Sequence, residues 1–564
     1  MNSELQHLDS SSKGDTNSLP LLGLLFIGLV VLLHCLSLPH MELQGEEGRR
    51  VVAAREMMSS GDPIVPTVWG QPYLNKPPLY PWLTVLASNF TGGSVNAITV
   101  RIPALLATLL TGLLLFLTGS RINRTRAGFI AALLFLLCPV VIRKSTLGET
   151  DLLLTCGVAI YALEMLVIGG SKRRKLFSTI CSTICSTIWM SAGLCIAFLA
   201  KGPSALPFVI GIMLATARHE GIARHRELTW WGPPLLAMGI SSLWAIAVTL
   251  RLDQLGSGLS AVQLWLGEAS RSGSQDGWWI HRWEFIAGVF FGYLPASLLM
   301  LLSGKMSSAV GWLGDRRYRP LALSIVIPFI VFLLWPSVQP RYLLPALPLI
   351  AWLAASILDE SFDDRYPSVS GEWALSIVTD GIRAVVAVAG VLAVTVGVAR
   401  WFDESVFATI PAVAPGEFIL LGSFLLISTG WPFKGVERRS VEQSALRWIL
   451  MLLAWSGCQA TILLPFRGSD RPGQEVARSI EAVVPLQQQL WHDVSGRWNT
   501  LAQVERTLKI VSKQVQPVPG DWFLTMETQQ PQLQDGWKTI SLSDGTPASI
   551  GIHQRRMPTK GKEK

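Results

Sequence analysis

The sequence predicts an α-helical polytopic membrane protein followed by a small C-terminal α/β domain. Three observations carry this. Half of the 564 residues are hydrophobic, only 15% are charged, and there are 22 tryptophans, a balance foreign to soluble chains. Apolar runs of roughly 20 residues, the length that crosses a bilayer, recur about thirteen times. Beyond residue 466 those runs stop, and short alternating segments take over.

The runs fall near 19–38, 99–119, 127–142, 151–169, 177–200, 204–217, 229–250, 284–302, 320–336, 342–358, 380–399, 412–430 and 446–465. The polar opening segment, residues 1–18, lacks the basic start and small-residue cleavage site of a signal peptide, so the first run is expected to be retained as a helix. Seven cysteines, at 35, 138, 156, 181, 185, 195 and 458, all lie within these runs. That argues against a disulfide framework or a thiolate metal site. Cys181 and Cys185, one turn apart, are expected to permit close helix contact.

With a cytoplasmic N-terminus, five of six inside loops are basic, as the positive-inside rule requires. They include SRINRTR (120–126), SKRRK (171–175) and KGVERR (434–439); the exception, 359–367, is acidic. The organisation is then a cytoplasmic tail (1–18), a transmembrane body (19–465) with a long first outer loop (39–98), and an extracytoplasmic domain (466–564). The net charge of +8 needs no nucleic acid, since cytoplasmic loops supply much of it. The spans hold few charges, with Glu164 the main exception. A charge in mid-bilayer costs about 2.5–3.5 kcal/mol on insertion scales, and ion-coupled transporters usually carry one. No two-fold internal repeat is visible, which further weakens a transporter reading.

The outer face instead gathers acids and bases at span ends. Residues 46–58 read as a short amphipathic helix, with Val51, Val52 and Met58 toward lipid, Glu46, Arg49, Arg50 and Arg55 toward water, and Gly61 as its stop. Next comes a proline- and aromatic-rich hairpin with Tyr73, Tyr80 and Trp82 as interfacial anchors. In it Lys76, held before two prolines, suits a lipid phosphate. Snorkelling to any headgroup is the bland alternative. Glu149 and Asp151 open the fourth span, close behind Arg143 and Lys144, where dipole complementation alone would favour acids. Lys201 ends the fifth span, and Arg341 and Tyr342 open the tenth. Carboxylates deprotonate a hydroxyl or orient a sugar, and cations stabilise a departing phosphate. Lipid-phosphate sugar transfer needs both.

These segments resemble the C-type (GT-C) membrane glycosyltransferases, specifically the group containing the aminoarabinose transferases and the protein O-mannosyltransferases. The family's D-E-x-R-Y…R-E-M pattern after the first span corresponds to Glu46-Glu47-Gly48-Arg49-Arg50 and Arg55-Glu56-Met57. Its G-D…P…K-P-P-L-x-x-W hairpin corresponds to Gly61-Asp62-Pro63, Pro66 and Lys76-Pro77-Pro78-Leu79-Tyr80-Pro81-Trp82. Its later acid resembles Asp151, its K-G motif Lys201-Gly202, its proline-rich outer segment FFGYLPASLL, and its R-Y-L-L-P motif Arg341 through Pro345. Two departures stand out: Glu46 replaces the family aspartate, and Arg50 replaces its tyrosine.

The resemblance implies inverting transfer of a sugar from a polyprenyl-phosphate donor to a lipid, protein or polymer acceptor, on the extracytoplasmic side of a bacterial inner membrane. Glu46 is then the expected base, with Glu47, Glu149 and Asp151 as further catalytic carboxylates. Arg49, Lys76, Lys201 and Arg341 are the expected phosphate-holding cations, and Tyr80 and Tyr342 substrate contacts. A lipid-linked sugar flippase is the rival reading. With His40 and His281 lone, no obligatory metal is expected, and an auxiliary divalent cation stays open. In the C-terminal segment, RPGQEVARSIEAVVPLQQQLW reads as a helix, and TLKIVSKQV, DWFLTMET, TISLSDG and SIGIHQ as strands.

Overall fold

The computed structural model describes residues 43–170, 176–220, 227–254, 278–302, 318–335, 338–361, 369–402, 415–430 and 473–485, together with short segments at 490–492, 502, 508–510, 522–526, 537–542 and 550–555. The expected spans 19–38 and 446–465, the tail 1–18 and His40 lie outside them.

Residues 43–98 of the first outer loop are structured. Helix α1 (Glu47–Ser60) ends at Gly61, whose left-handed φ of 68° lets its N–H reach Met57 O at 3.1 Å; glycine takes this conformation without a Cβ penalty. A two-residue-per-strand hairpin follows, β1 (Thr67–Val68) with β2 (Gln71–Pro72). Glu56 Oε2 pins it, accepting from Thr67 Oγ1 (2.6 Å) and Gly70 N (3.0 Å). Helix α2 (Leu79–Phe90) closes the loop.

The expected amphipathic helix exists, but its setting differs. Val51, Val52, Ala53, Ala54, Glu47 and Arg50 are all buried, so α1 packs into the protein instead of floating on lipid. Arg50 therefore does not face water. Arg55 is also engaged, donating to Val95 O (3.1 Å) and Ala502 O (2.8 Å).

The described part of the membrane body begins with α3 (Ala97–Arg121), started by a capping box in which Asn96 accepts from Ile98 N and Thr99 N and Thr99 Oγ1 accepts from Asn96 N. The expected span 127–142 is instead two helices, α4 (Thr125–Leu136) and α5 (Pro139–Ser145), bent by 64°. Pro139 has no N–H to donate to the preceding turn, and Cys138 before it is extended (ψ 129°). There follow α6 (Asp151–Gly170), α7 (Leu176–Lys201), a 3-10 turn (Gly202–Ala205), α8 (Leu206–Glu220) and α9 (Leu228–Gln254). The expected span 284–302 is likewise divided, into α10 (Trp278–Gly292) and α11 (Ala296–Leu302). Then come α12 (Arg319–Leu333), a second 3-10 segment (Pro340–Ala346), α13 (Leu347–Ser361), α14 (Val369–Phe402) and α15 (Pro415–Gly430).

Among the described residues five helices are long and apolar enough to cross a membrane, or six if the bent α4–α5 pair is one span. Burial sorts them: α6 is 89% buried over its apolar window and α9 only 22%, so α6 is the central helix and α9 faces lipid. Close crossings use glycine. A Cβ on Gly157 of α6 would lie 2.4 Å from Gly193 O of α7, whereas Cys185 on α7 is exposed. The close contact on α7 thus runs through Gly193, not through Cys185.

The acidic loop that broke the positive-inside pattern has an electrostatic reason. Asp359, at the end of α13, accepts from Arg126 Nε at 2.5 Å and lies 3.6 Å from Arg124 Nε. The two loops, eight expected spans apart, thus meet on one face, and their charges compensate.

Near the C-terminus, α16 (Gly473–Val483) precedes a five-stranded sheet of β3 (Leu490–His492), β4 (Leu508–Ile510), β5 (Trp522–Met526), β6 (Trp537–Leu542) and β7 (Ile550–Arg555), ordered β4-β3-β5-β7-β6. β3 pairs in parallel with β4 and β5, while β7 is antiparallel to β5 and β6. Four of the strands coincide with the expected ones; β3 begins on Leu490 and Trp491, the last two residues of the segment read as a helix.

Candidate active site

The site is assembled where α1, α5, α6, the end of α7 and the segment before α13 converge. Asp151 is the first residue of α6 and Glu149 sits two residues before it, where the helix dipole favours negative charge. Lys144, at the end of α5, pairs with Glu149 and stands 3.7 Å from Asp151 Oδ2. Lys201, the last residue of α7, pairs with Asp151. Its ammonium also lies 5.2 Å from the centre of the Tyr342 ring, within cation–π range. Arg341 Nη1 is 4.0 Å from Glu149 Oε2. The side chains of Lys144, Glu149, Asp151 and Lys201 are no more than 12% exposed, so this cluster is nearly dry and its Coulomb terms are weakly screened.

Three cations face two carboxylates here, leaving one positive charge. Arg341 Nε is buried without a hydrogen-bond partner among the described residues, and its side chain is 39% exposed. A cation with unused donors at the rim of a dry cluster is suited to an anion.

A second assembly locks α1 onto this cluster. Glu47 is fully buried and saturated. Oε1 accepts from Arg101 Nε (2.8 Å) and Gly148 N (2.6 Å), and Oε2 accepts from Arg101 Nη2 (2.9 Å) and Gln44 N (2.7 Å). Arg101 is itself fully buried. Arg50 donates to Gly148 O, and its guanidinium lies 5.4 Å from the centre of the Tyr80 ring. Both polar groups of the Gly148 backbone are therefore held from α1, one residue before Glu149. The arginine that replaces the family tyrosine is part of that hold.

Glu46 is the outward neighbour. Its side chain is 47% exposed and accepts from Arg49 at 3.0 Å. The hairpin bearing Lys76 reaches the cluster through Pro77, which lies 3.8 Å from where a Cβ on Gly202 would stand. Gly202 follows Lys201 with φ 63°, a left-handed turn that ends α7 and aims the lysine inward.

The structure thus brings together Glu149, Asp151, Lys201, Arg341 and Tyr342, and attaches the segments of Glu46, Glu47, Arg49 and Lys76 to them. Two expectations need correction. Tyr80 is not an interfacial anchor or an exposed substrate contact: it is 1% exposed, it donates its O–H to Val100 O at 2.7 Å, and burial pushes its phenol up. Glu47 has all four lone-pair directions occupied by protein donors, so it positions the loop and has nothing left for a substrate proton. Sequence reasoning missed two residues. Lys144 was noticed only as company for the acids, although its five-residue spacing to Glu149 across a turn was visible. Arg101 was overlooked as a charge inside a span; an arginine two residues past TVR's threonine, in an otherwise apolar run, was the available signal.

Comparison with known proteins bears on this arrangement. Residues 75–246 match the family model described as dolichyl-phosphate-mannose-protein mannosyltransferase. The structure superposes on the crystal structure of ArnT from Cupriavidus metallidurans bound to undecaprenyl phosphate with a TM-score of 0.73, over 95% of this chain and 99% of that one, at 16% identity. At 16% identity this likeness shows a shared fold, that of a GT-C membrane protein. Among curated proteins of similar sequence, the undecaprenyl phosphate-alpha-4-amino-4-deoxy-L-arabinose arabinosyl transferase of Pseudomonas paraeruginosa is 27% identical over 56% of this chain and 55% of its own length. Transferase 1 of that name from Sodalis glossinidius is 28% identical over 72% of this chain and 69% of its own. The chain thus spans little more than half the length of the first of these relatives.

Proposed function

We propose that the protein transfers a pentose or hexose from a polyprenyl-phosphate donor to a lipid, protein or polymer acceptor, with inversion, at the extracytoplasmic face of a bacterial inner membrane. The observation that carries this reading is the dry cluster of Lys144, Lys201 and Arg341 around Glu149 and Asp151, with Arg341 Nε unpartnered among the described residues. Glu46, exposed beside it, takes the acceptor proton as the acceptor oxygen bonds to the anomeric carbon. The bond from that carbon to the phosphate oxygen breaks on the opposite face, and the phosphate leaves with the electron pair. Lys76, Lys201, Arg341 and Arg49 stabilise it as charge develops, while Asp151 and Glu149 orient the cations and the acceptor, and Tyr342 lines the approach.

Three elements extend the proposal. The body 19–465 carries about thirteen spans of bilayer length; 1–18 is a cytoplasmic tail; and 466–564 is an extracytoplasmic domain. The last is supported by the bond from Arg55 of the first outer loop to Ala502. No divalent cation is obligatory, a reading supported by the donor set: the carboxylates at the centre are already compensated by ammonium and guanidinium groups.

The decisive experiment supplies purified protein in vesicles with a defined polyprenyl-phosphate sugar and scores chemical transfer. Glu46→Gln and Lys76→Ala each abolish transfer while leaving expression intact, and chelation leaves it unchanged. A flippase would move label across the bilayer with no change in the lipid, and full activity in either variant would overturn the assignment.

A further inference from the structure

A groove separate from the candidate site lies where α1 stops and α9 ends. Asp62, Pro63 and Ile64 form one wall, and Leu250, Arg251 and Gln254 the other, around about 490 Å³. Arg251 Nε donates to Asp62 Oδ2 at 3.3 Å, and Nη1 to Gln254 Oε1 at 3.1 Å. A guanidinium carries five N–H donors, and the remaining ones of Arg251 meet no hydrogen-bond partner among the described residues, although the side chain is 48% exposed. Asp62 is fixed from behind, its Oδ1 accepting from Ile64 N (2.8 Å) and Val65 N (3.4 Å). Its Oδ2 faces the groove side with a single partner.

The surroundings say what such a groove meets. Leu235, Leu243, Ile246 and Leu250, one side of α9, are each more than half exposed, and α9 is the least buried of the candidate spans at 22%. An exposed apolar stripe on a helix long enough to cross a bilayer therefore runs directly to a fixed carboxylate and a cation with donors left over among the described residues, at the end of that helix. Charge complementarity selects among lipids. A phosphodiester fits the free guanidinium donors, and a primary ammonium fits Asp62. An anionic headgroup without an amine would bring its negative charge to Asp62 uncompensated.

We propose that this groove binds the headgroup of a zwitterionic phospholipid with a primary amine, phosphate on Arg251 and ammonium on Asp62, its acyl chains lying along α9. The site is independent of the transferase reading: the same occupant is expected whether or not the protein transfers sugar.

The test uses the full chain, purified and delipidated in detergent, titrated with short-chain phosphatidylethanolamine, phosphatidylglycerol or inorganic phosphate and read by native mass spectrometry. Phosphatidylethanolamine binds about tenfold more tightly than phosphatidylglycerol, the size of one charge-assisted contact, and inorganic phosphate does not compete. Arg251→Gln weakens phosphatidylethanolamine binding. Asp62→Asn, which keeps an acceptor for Ile64 and Val65, removes the discrimination between the two lipids. Leu250→Trp fills the groove without touching the ion pair and weakens both, so it serves as the test even if Arg251→Gln fails to fold. Equal binding of the two lipids by the parent, binding unchanged by Leu250→Trp, or displacement by inorganic phosphate alone would each overturn the proposal.

Discussion

Removing the Glu47 carboxylate is the most informative single change, because the structure fixes both its cost and its consequence. In Glu47→Ala four hydrogen bonds of 2.6–2.9 Å disappear. More important, Arg101 stays behind, fully buried and ionised. Breaking a buried ion pair by removing one partner costs about 3–5 kcal/mol, because an uncompensated charge remains. Replacing both partners with apolar groups leaves no such charge, so Glu47→Met with Arg101→Met recovers most of the loss. Thermal unfolding of the purified protein in detergent, run as a double-mutant cycle, measures this. A parallel assay of sugar transfer separates the two roles. If Glu47 only positions Gly148 and Glu149, the double variant regains stability but not activity, since the Gly148 N–H has lost its acceptor. An unfolding midpoint for Glu47→Ala indistinguishable from the parent would refute the clasp; full transfer by the double variant would refute its link to the site.

Further outcomes follow from the same geometry. Lys201→Ala leaves Asp151 facing Lys144 at 3.7 Å and removes one cation from the leaving-group side; transfer in steady-state kinetics falls about 10²–10³-fold, as for loss of one stabilising donor. Gly202→Ala meets no clash, since Pro77 is 3.8 Å away, but forces a Cβ to φ 63°; unfolding should show a loss of about 1–2 kcal/mol, with activity reduced through Lys201. Burial opposes ionisation of Asp62, but the N–H groups of Ile64 and Val65 and the guanidinium of Arg251 outweigh it and hold the carboxyl below its usual value of 3.8. Its folded pKa is therefore below its unfolded one, so its stabilisation is present above that value and is lost as pH falls through the folded pKa. The midpoint gap between the parent and Asp62→Asn should persist at neutral pH and close only in strong acid.

Much of the fold was legible because its signals are local or periodic. Bilayer-length apolar runs marked α3, α6, α7 and α9, and alternation marked four of the five C-terminal strands. Each failure was of a different kind. Pro139 was present in the sequence, but an apolar run on both sides of it masked the break between α4 and α5. Arg50 reads as a surface residue on an amphipathic helix, and Tyr80 as an anchor in an aromatic hairpin at headgroup depth; only the tertiary fold reveals that both are enclosed. Cys185 had the right size for a helix contact and the wrong azimuth. The candidate site shows the same division. Glu149, Asp151, Lys201 and Arg341 were found because each sits at a span end, where orientation alone assigns a compartment. Which cation meets which acid depends on packing over a sequence separation as large as 192 between Glu149 and Arg341, and no local pattern encodes that. The acidic loop at Asp359 was the opposite case: an anomaly in the charge pattern that became intelligible once Arg124 and Arg126 stood opposite it.

The adjacent glutamates at the start of α1 show how one helical step divides structure from chemistry. Glu46 is the N-cap of α1 and Glu47 its first helical residue, and that one step leaves Glu47 inside the body and Glu46 outside it. A carboxylate whose lone pairs are all engaged is held firmly but cannot accept a proton; one paired with a single, partly exposed arginine keeps that capacity. The two requirements cannot be met by one residue, and adjacency ties them together, since the saturated member sets where the open one stands. Lengthening the open member from the family aspartate to glutamate moves its carboxylate by about one methylene, a shift that matters at hydrogen-bond distances. Glu46→Asp therefore discriminates between the two accounts of this departure. If the acceptor sits farther from α1 here than in the family pattern, shortening the side chain lowers kcat and leaves stability unchanged. If Glu46 is a base working at a disadvantage, the same change raises kcat, and a variant with neither effect would remove Glu46 from the chemistry.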